Sequence, residues 1–144
     1  MLDGEKEYLS PNALSMMAEM LQKRHYDMVY SDEDRMEENG RRCDPFFKPD
    51  WSPDTFEEFF YTGNLTAYRG IFWGRLLEHS GEKSNIEGEE NLRAWIYRQL
   101  HRCDWDRRTV GHIPKVLCHW KGRYPLICAE QTLEVPGQEK VSVI

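Results

Sequence analysis

The stretch "DMVYSDEDRMEENG", residues 27 to 40, changes character halfway along. Asp27-Met28-Val29-Tyr30 carries a β-branched and an aromatic residue and reads as a short strand. The acids Asp32, Glu33 and Asp34 then interrupt the apolar run. Upstream, Ser10-Pro11 is a cap followed by proline at the first helical position, and Leu14, Met17, Ala18 and Leu21 recur at the spacing of one helix face. A helix from Pro11 to about Arg24 thus leads into a strand, which is half of an α/β repeat. The acids admit two readings. An acid-x-acid pair can hold a divalent cation through its oxygens. Alternatively the strand runs out into a charged loop, where Ser31 and Asp32 cap a turn and the other acids pair with Arg35, Arg41 or Arg42. The loop reading is the expectation, with Asp32 and Asp34 as ligand contacts if the loop faces one.

No periodicity survives from Ser31 to Trp51, so the sequence predicts a long loop. Phe46, Phe47 and Trp51 argue that it is ordered, because disordered segments are poor in aromatics. Ser52-Pro53 repeats the cap signal ahead of Phe56, Phe59 and Phe60, predicting a short second helix ended by Gly63. "NLTAYR" alternates Leu65 and Ala67 with Thr66 and Tyr68, the pattern of a strand. A third helix is expected over Ile71 to His79, with Phe72, Leu76 and Leu77 in the core. A fourth is marked by Leu92, Trp95, Ile96 and Leu100. "RTVGHIPKVLCHW" predicts two short extended pieces with Pro114 at an edge or bend. The expectation is one folding unit over residues 1–128 and a C-terminal tail over 129–144.

The 144 residues carry 19 Lys and Arg against 25 Asp and Glu, a net charge of -6. That balance argues against sequence-independent attraction to nucleic acid or to an anionic membrane. No apolar run approaches the roughly 18 residues of a membrane helix, and "MLDGEKEY" lacks the regions of a signal peptide. The sequence therefore predicts a cytoplasmic protein, the inner face of the membrane included, with no direct membrane insertion. Cys43, Cys103, Cys118 and Cys128 show no CxxC spacing and read as reduced structural thiols. The parts required for an NTPase, an α/β-hydrolase, a zincin or a cysteine protease are missing from the pattern.

Taken in order, "LD", the capped helix, "DMVYSDEDR", "GRRCDPFFKPDWSPD", "GNLTAYR", "EGEEN" and "HIPKVLCHW" resemble glycosyltransferase family 2, in particular its rhamnosyltransferase-like bacterial members. The resemblance covers roughly Leu2 to Trp120. It implies a GT-A fold: α/β, a mixed sheet flanked by helices, here partial and lacking the N-terminal nucleotide-binding half. It also implies transfer of a sugar from a nucleotide-sugar donor to a carbohydrate acceptor in cell-surface polysaccharide synthesis. A partner chain or upstream segment would then supply the nucleotide-binding half. The alternative is a non-catalytic remnant that binds glycans or a partner, so catalysis by the isolated chain stays open.

The resemblance also distributes roles. Asp3 and Glu5, in "LDGEK", match the family's metal acids, and His119 of "HW" would complete the shell of a Mn²⁺ or Mg²⁺ ion. Lys6 stands where the family has a third acid. "EGEENL" matches the string carrying the catalytic base, an acid that takes the acceptor hydroxyl's proton. Asn91 falls on the base position and an amide cannot accept that proton, which leaves Glu90 or Glu89 as substitutes. Those two acids also complement the dipole at a helix start. Trp51 is either a wall of the acceptor pocket or a core anchor, and Trp120 is a floor for a sugar ring.

Overall fold

A computed structural model describes residues 7–80, 89–103, 105 and 109–121. The elements run β1 (Glu7–Leu9), α1 (Ala13–Lys23), β2 (Met28–Met36), β3 (Arg42–Phe46), α2 (Pro53–Glu58), β4 (Thr66–Tyr68), α3 (Gly70–Ser80), α4 (Glu89–His101) and β5 (Val110–Trp120). The strands form one mixed sheet in the order β1-β5-β2-β3, with β4 also paired to β2. β5 lies parallel to β2, and the other pairings are antiparallel. Alternation along β2 sends Met28 and Tyr30 to one face and Val29 to the other. Met28 and Tyr30 pack with Phe56, Leu76, Tyr97 and Leu100 of α2, α3 and α4. Val29 packs with Ala13 and Met17 of α1. The α/β class with a helix-flanked mixed sheet is therefore observed.

Local chemistry accounts for the elements. Ser52 caps α2 by accepting from the Thr55 amide, with Pro53 next, as its dipeptide predicts. α1 ends at Lys23, and just past the capping Arg24, His25 takes the left-handed conformation, φ 56°, that closes many helices. The buried stripe of α1 is Ala13 and Met17, flanked by Met16, Met20 and Leu21. Leu14 is 64% exposed, so the face is rotated from the expected one. On α3 Leu76 is buried but Leu77 is largely exposed, and α2 ends at Glu58 with Phe59 extended, ahead of Gly63.

Two expectations are corrected. The segment from Ser31 is not a loop: β2 continues through Met36, turns at Asn39-Gly40 and returns as β3. Gly40 sits at φ 83°, the left-handed backbone that glycine readily supplies near the end of this hairpin loop. Of the expected loop only the turn at residues 37–41 and residues 47–51 lack a strand or helix. Second, "VGHIPKVLCHW" is one strand of 11 residues rather than two pieces. Its register to β2 jumps from Ile113–Ser31 to Val116–Asp32, leaving Pro114 and Lys115 in a bulge. A residue without an N–H is tolerated inside a sheet at such a place.

The expected tail, residues 129–144, lies outside the described residues. Cys43, Cys103 and Cys118 are free thiols, as expected.

Candidate functional site

The extension of β2 puts Asp32, Glu33 and Asp34 each at 3% exposure in the middle of the sheet. A carboxylate survives there only with partners, since an unpaired buried charge costs several kcal/mol. Each acid has its own. Asp32 Oδ1 accepts from the Lys48 amide at 2.9 Å and meets His112 Nε2 at 2.8 Å. The other nitrogen of His112 reaches Asp50, which is 97% exposed, at 2.9 Å, and its ring stacks on Tyr30 with centroids 4.8 Å apart. Glu33 Oε1 faces the Lys48 ammonium at 3.4 Å, and that ammonium donates to the Thr62 carbonyl at 2.9 Å. Burial pushes the Lys48 ammonium's pKa down, opposed by the Glu33 carboxylate. Asp34 Oδ1 meets His119 Nδ1 at 2.6 Å, and Oδ2 accepts from Arg42 Nε at 2.6 Å. The acids are thus an interior polar row, not a solvated run. Of the arginines expected to pair with them, Arg42 does so, while Arg35 pairs with Asp44 and Arg41 with Glu37.

The row continues past His119, whose Nε2 lies 3.2 Å from Ser10 Oγ. Ser10 enters α1 directly after β1, which pairs with the end of β5 through Tyr8–His119 and Leu9–Cys118. The Asp34–His119–Ser10 chain therefore ties β2, β5 and the entry to α1 together. Tyr30 donates to the Pro49 carbonyl at 2.6 Å, and burial pushes its phenol pKa far up. Gly63, at φ 72°, closes the base of the Lys48–Glu33 pair: a Cβ there would stand 2.8 Å from both charged atoms.

Beside Asp34 the surface opens into a groove of about 340 Å³ lined by Asp34, Arg42, Cys43, Pro45, Phe47 and Val116. Phe47 is 69% exposed, whereas its neighbours Phe46 and Lys48 turn inward. A register shift across Asp44, with φ 47°, lets β3 make that switch.

The sequence-derived residues fall in three places. Asp32, Asp34 and His119 come together in the polar row. Trp51 and Trp120 are 7% and 5% exposed. Trp51 packs against Phe56, Tyr61 and Trp105 in the core, so of its two uses the packing is that of a core anchor. Glu89, Glu90 and Asn91 form the start of α4, where the expected helix begins, and only their backbone is described. Asp3 and Glu5 lie outside the described residues.

Among the described residues no group of three or more His, Cys, Asp or Glu is arranged to hold a metal ion. In His119 one ring nitrogen is held by the Asp34 carboxylate and the other meets the Ser10 hydroxyl. Lys48 and His112, and the place of Phe47 on the groove, were missed by sequence reasoning, whereas Arg42 was expected as a partner of the acids. Only Phe47 left a local signal, as the second of two adjacent aromatics that cannot both turn inward from one extended strand.

Two curated proteins match most of this chain. The uncharacterized protein y4gI of Sinorhizobium fredii is 33% identical over 120 residues, 80% of this chain and 12% of its own length. The O-antigen biosynthesis protein RfbC of Myxococcus xanthus is 30% identical over 117 residues, 81% of this chain and 8% of its own length. The chain thus spans a small fraction of the curated relatives it matches. No family model matches the chain. No solved structure matches it either.

Proposed function

We propose that this chain is the acceptor-side portion of a family 2, GT-A-type glycosyltransferase acting in polysaccharide synthesis. The observation that carries the reading is the 30% identity, over 81% of the chain, to a protein whose name assigns it to O-antigen biosynthesis. The helix-flanked mixed sheet and the ordered strings from "SDED" to "HW" support it. In this reading Asp3, Glu5 and His119 would hold a Mn²⁺ or Mg²⁺ ion, which supplies charge neutralisation at the donor diphosphate. Asp34 orients His119 for that task. Glu90, or Glu89, takes the proton of the attacking hydroxyl at the start of α4.

A ligand that binds only the folded state raises its unfolding midpoint. The reading expects bacterial cell-surface oligosaccharides to raise the midpoint of the purified protein. A further rise with Mn²⁺ plus UDP or dTDP, absent with either alone, would place donor contacts in these residues too. A midpoint indifferent to oligosaccharide, metal and nucleotide overturns the reading.

A further inference from the structure

The groove beside Asp34 is built in a way that its surroundings do not require. Phe47 is an exposed aromatic on a fixed backbone: Phe46 before it packs on the core, and Lys48 after it is buried, its amide held by Asp32 at 2.9 Å. The backbone on both sides of the ring is therefore fixed, which holds its aromatic face at the groove.

Arg42 stands on the same groove, half exposed, anchored through Nε to Asp34 at 2.6 Å. Among the described residues its two terminal nitrogens have no hydrogen-bond partner, so a planar pair of donors faces the opening. The charge of Arg42 is already balanced by Asp34, so the groove carries a neutral ion pair rather than a free cation. A phosphate or carboxylate would bring a second negative charge beside the Asp34 carboxylate. A neutral polyol would not, and its hydroxyls accept from the free nitrogens and donate to carboxylate lone pairs. The volume, about 340 Å³, is at the small end of ligand sites.

From these features we infer that the groove is a subsite for one neutral pyranose ring, with Phe47 against its C–H face and Arg42, braced by Asp34, on its hydroxyls. This deepens the proposed function and rests on it: the ring would belong to the carbohydrate acceptor. Neither Phe47 nor Arg42 carries a role in that reading.

The test is an NMR titration of the whole chain with methyl α-mannoside, methyl β-glucoside and methyl α-rhamnoside, with inorganic phosphate as the control anion. The Phe47 ring and the Cys43 amide report on the groove. The expected result is a saturable shift of both signals with at least one glycoside, in the millimolar range usual for single small ligands. Phe47→Ala, at an exposed site, should leave the unfolding midpoint in place and weaken binding by roughly threefold to tenfold. Arg42→Lys, which keeps the charge opposite Asp34 but loses the planar fork, should weaken it as well. Saturable shifts confined to other residues overturn the subsite while leaving a carbohydrate-binding protein. A phosphate-driven shift at Phe47 and Cys43 without a glycoside response overturns the neutral-ligand argument. Silence to every glycoside, in a protein whose midpoint still rises with Mn²⁺ and nucleotide, overturns the subsite alone, and silence to all of them overturns both readings.

Discussion

Replacing Lys48 by methionine tests the account of the polar row most severely. Its ammonium lies 3.4 Å from Glu33, with side-chain exposures of 0% and 3%. At an effective dielectric of about 20 the attraction is about 5 kcal/mol, comparable to the cost of taking both charges out of water. The intact pair is therefore close to neutral for stability, but breaking it is not. Lys48→Met leaves a buried carboxylate whose Oε2 has no partner among the described residues, and should cost about 3–5 kcal/mol. Adding Glu33→Gln removes that charge and should recover about 2 kcal/mol or more. Urea unfolding followed by circular dichroism at neutral pH measures both. A single-variant loss below about 1 kcal/mol, or losses that add in the double variant, would refute the buried-pair account. The pair also sets a pH signature. Because the folded-state pKa of Lys48 is lowered, the unfolded chain binds more protons between that value and the usual pKa of about 10.4. Stability from this group should therefore rise with pH across that window, and the rise should vanish in Lys48→Met.

Other consequences are as specific. Tyr30, Tyr61 and Tyr68 have pKa values raised by burial, so their contribution is complete below about pH 10 and is lost as pH climbs toward the folded-state values. Alkaline unfolding should steepen by up to about 1.4 kcal/mol per pH unit per tyrosine, and less so in Tyr30→Phe. Gly63→Ala meets Glu33 and Lys48 at 2.8 Å and a φ of 72°, and should cost about 2–4 kcal/mol by calorimetry. Gly40→Ala, at φ 83° with open space around it, should cost only about 1–2 kcal/mol. Asp32→Ala removes the partner of both His112 and the Lys48 amide and should cost about 2–4 kcal/mol in urea titration. Asp50→Ala, at the exposed end of the same histidine, should stay within about 0.5 kcal/mol.

Where the sequence was legible, the signal was local. Ser52-Pro53 announced α2, the spacing of Trp95, Ile96 and Leu100 announced α4, and both stand where expected. The acids misled because their stabilising partners are distant in sequence: His112 and His119 lie 80 and 85 residues from the carboxylates they meet. Read alone, three consecutive acids look solvated. Read with a hairpin dipeptide at Asn39-Gly40 and alternating side-chain size, the same run extends a strand. Pro114 misled for the opposite reason, as a strong local signal absorbed by a two-residue bulge. Of the candidate site, Asp32, Asp34 and His119 could be proposed from the string, but their joining by Arg42, Lys48 and Ser10 required the sheet.

The groove, the orientation of His119 and the position of Phe47 all depend on residues 31–36 being an interior strand. Residue-resolved amide hydrogen exchange tests that directly, since a strand between two partners opens only with the fold while a surface loop exchanges freely. The account predicts that Ser31 to Arg35 exchange as slowly as the slowest core amides, with Asn39 and Gly40 fast. Exchange of Asp32, Glu33 and Asp34 at the rate of Asn39 and Gly40 would contradict it.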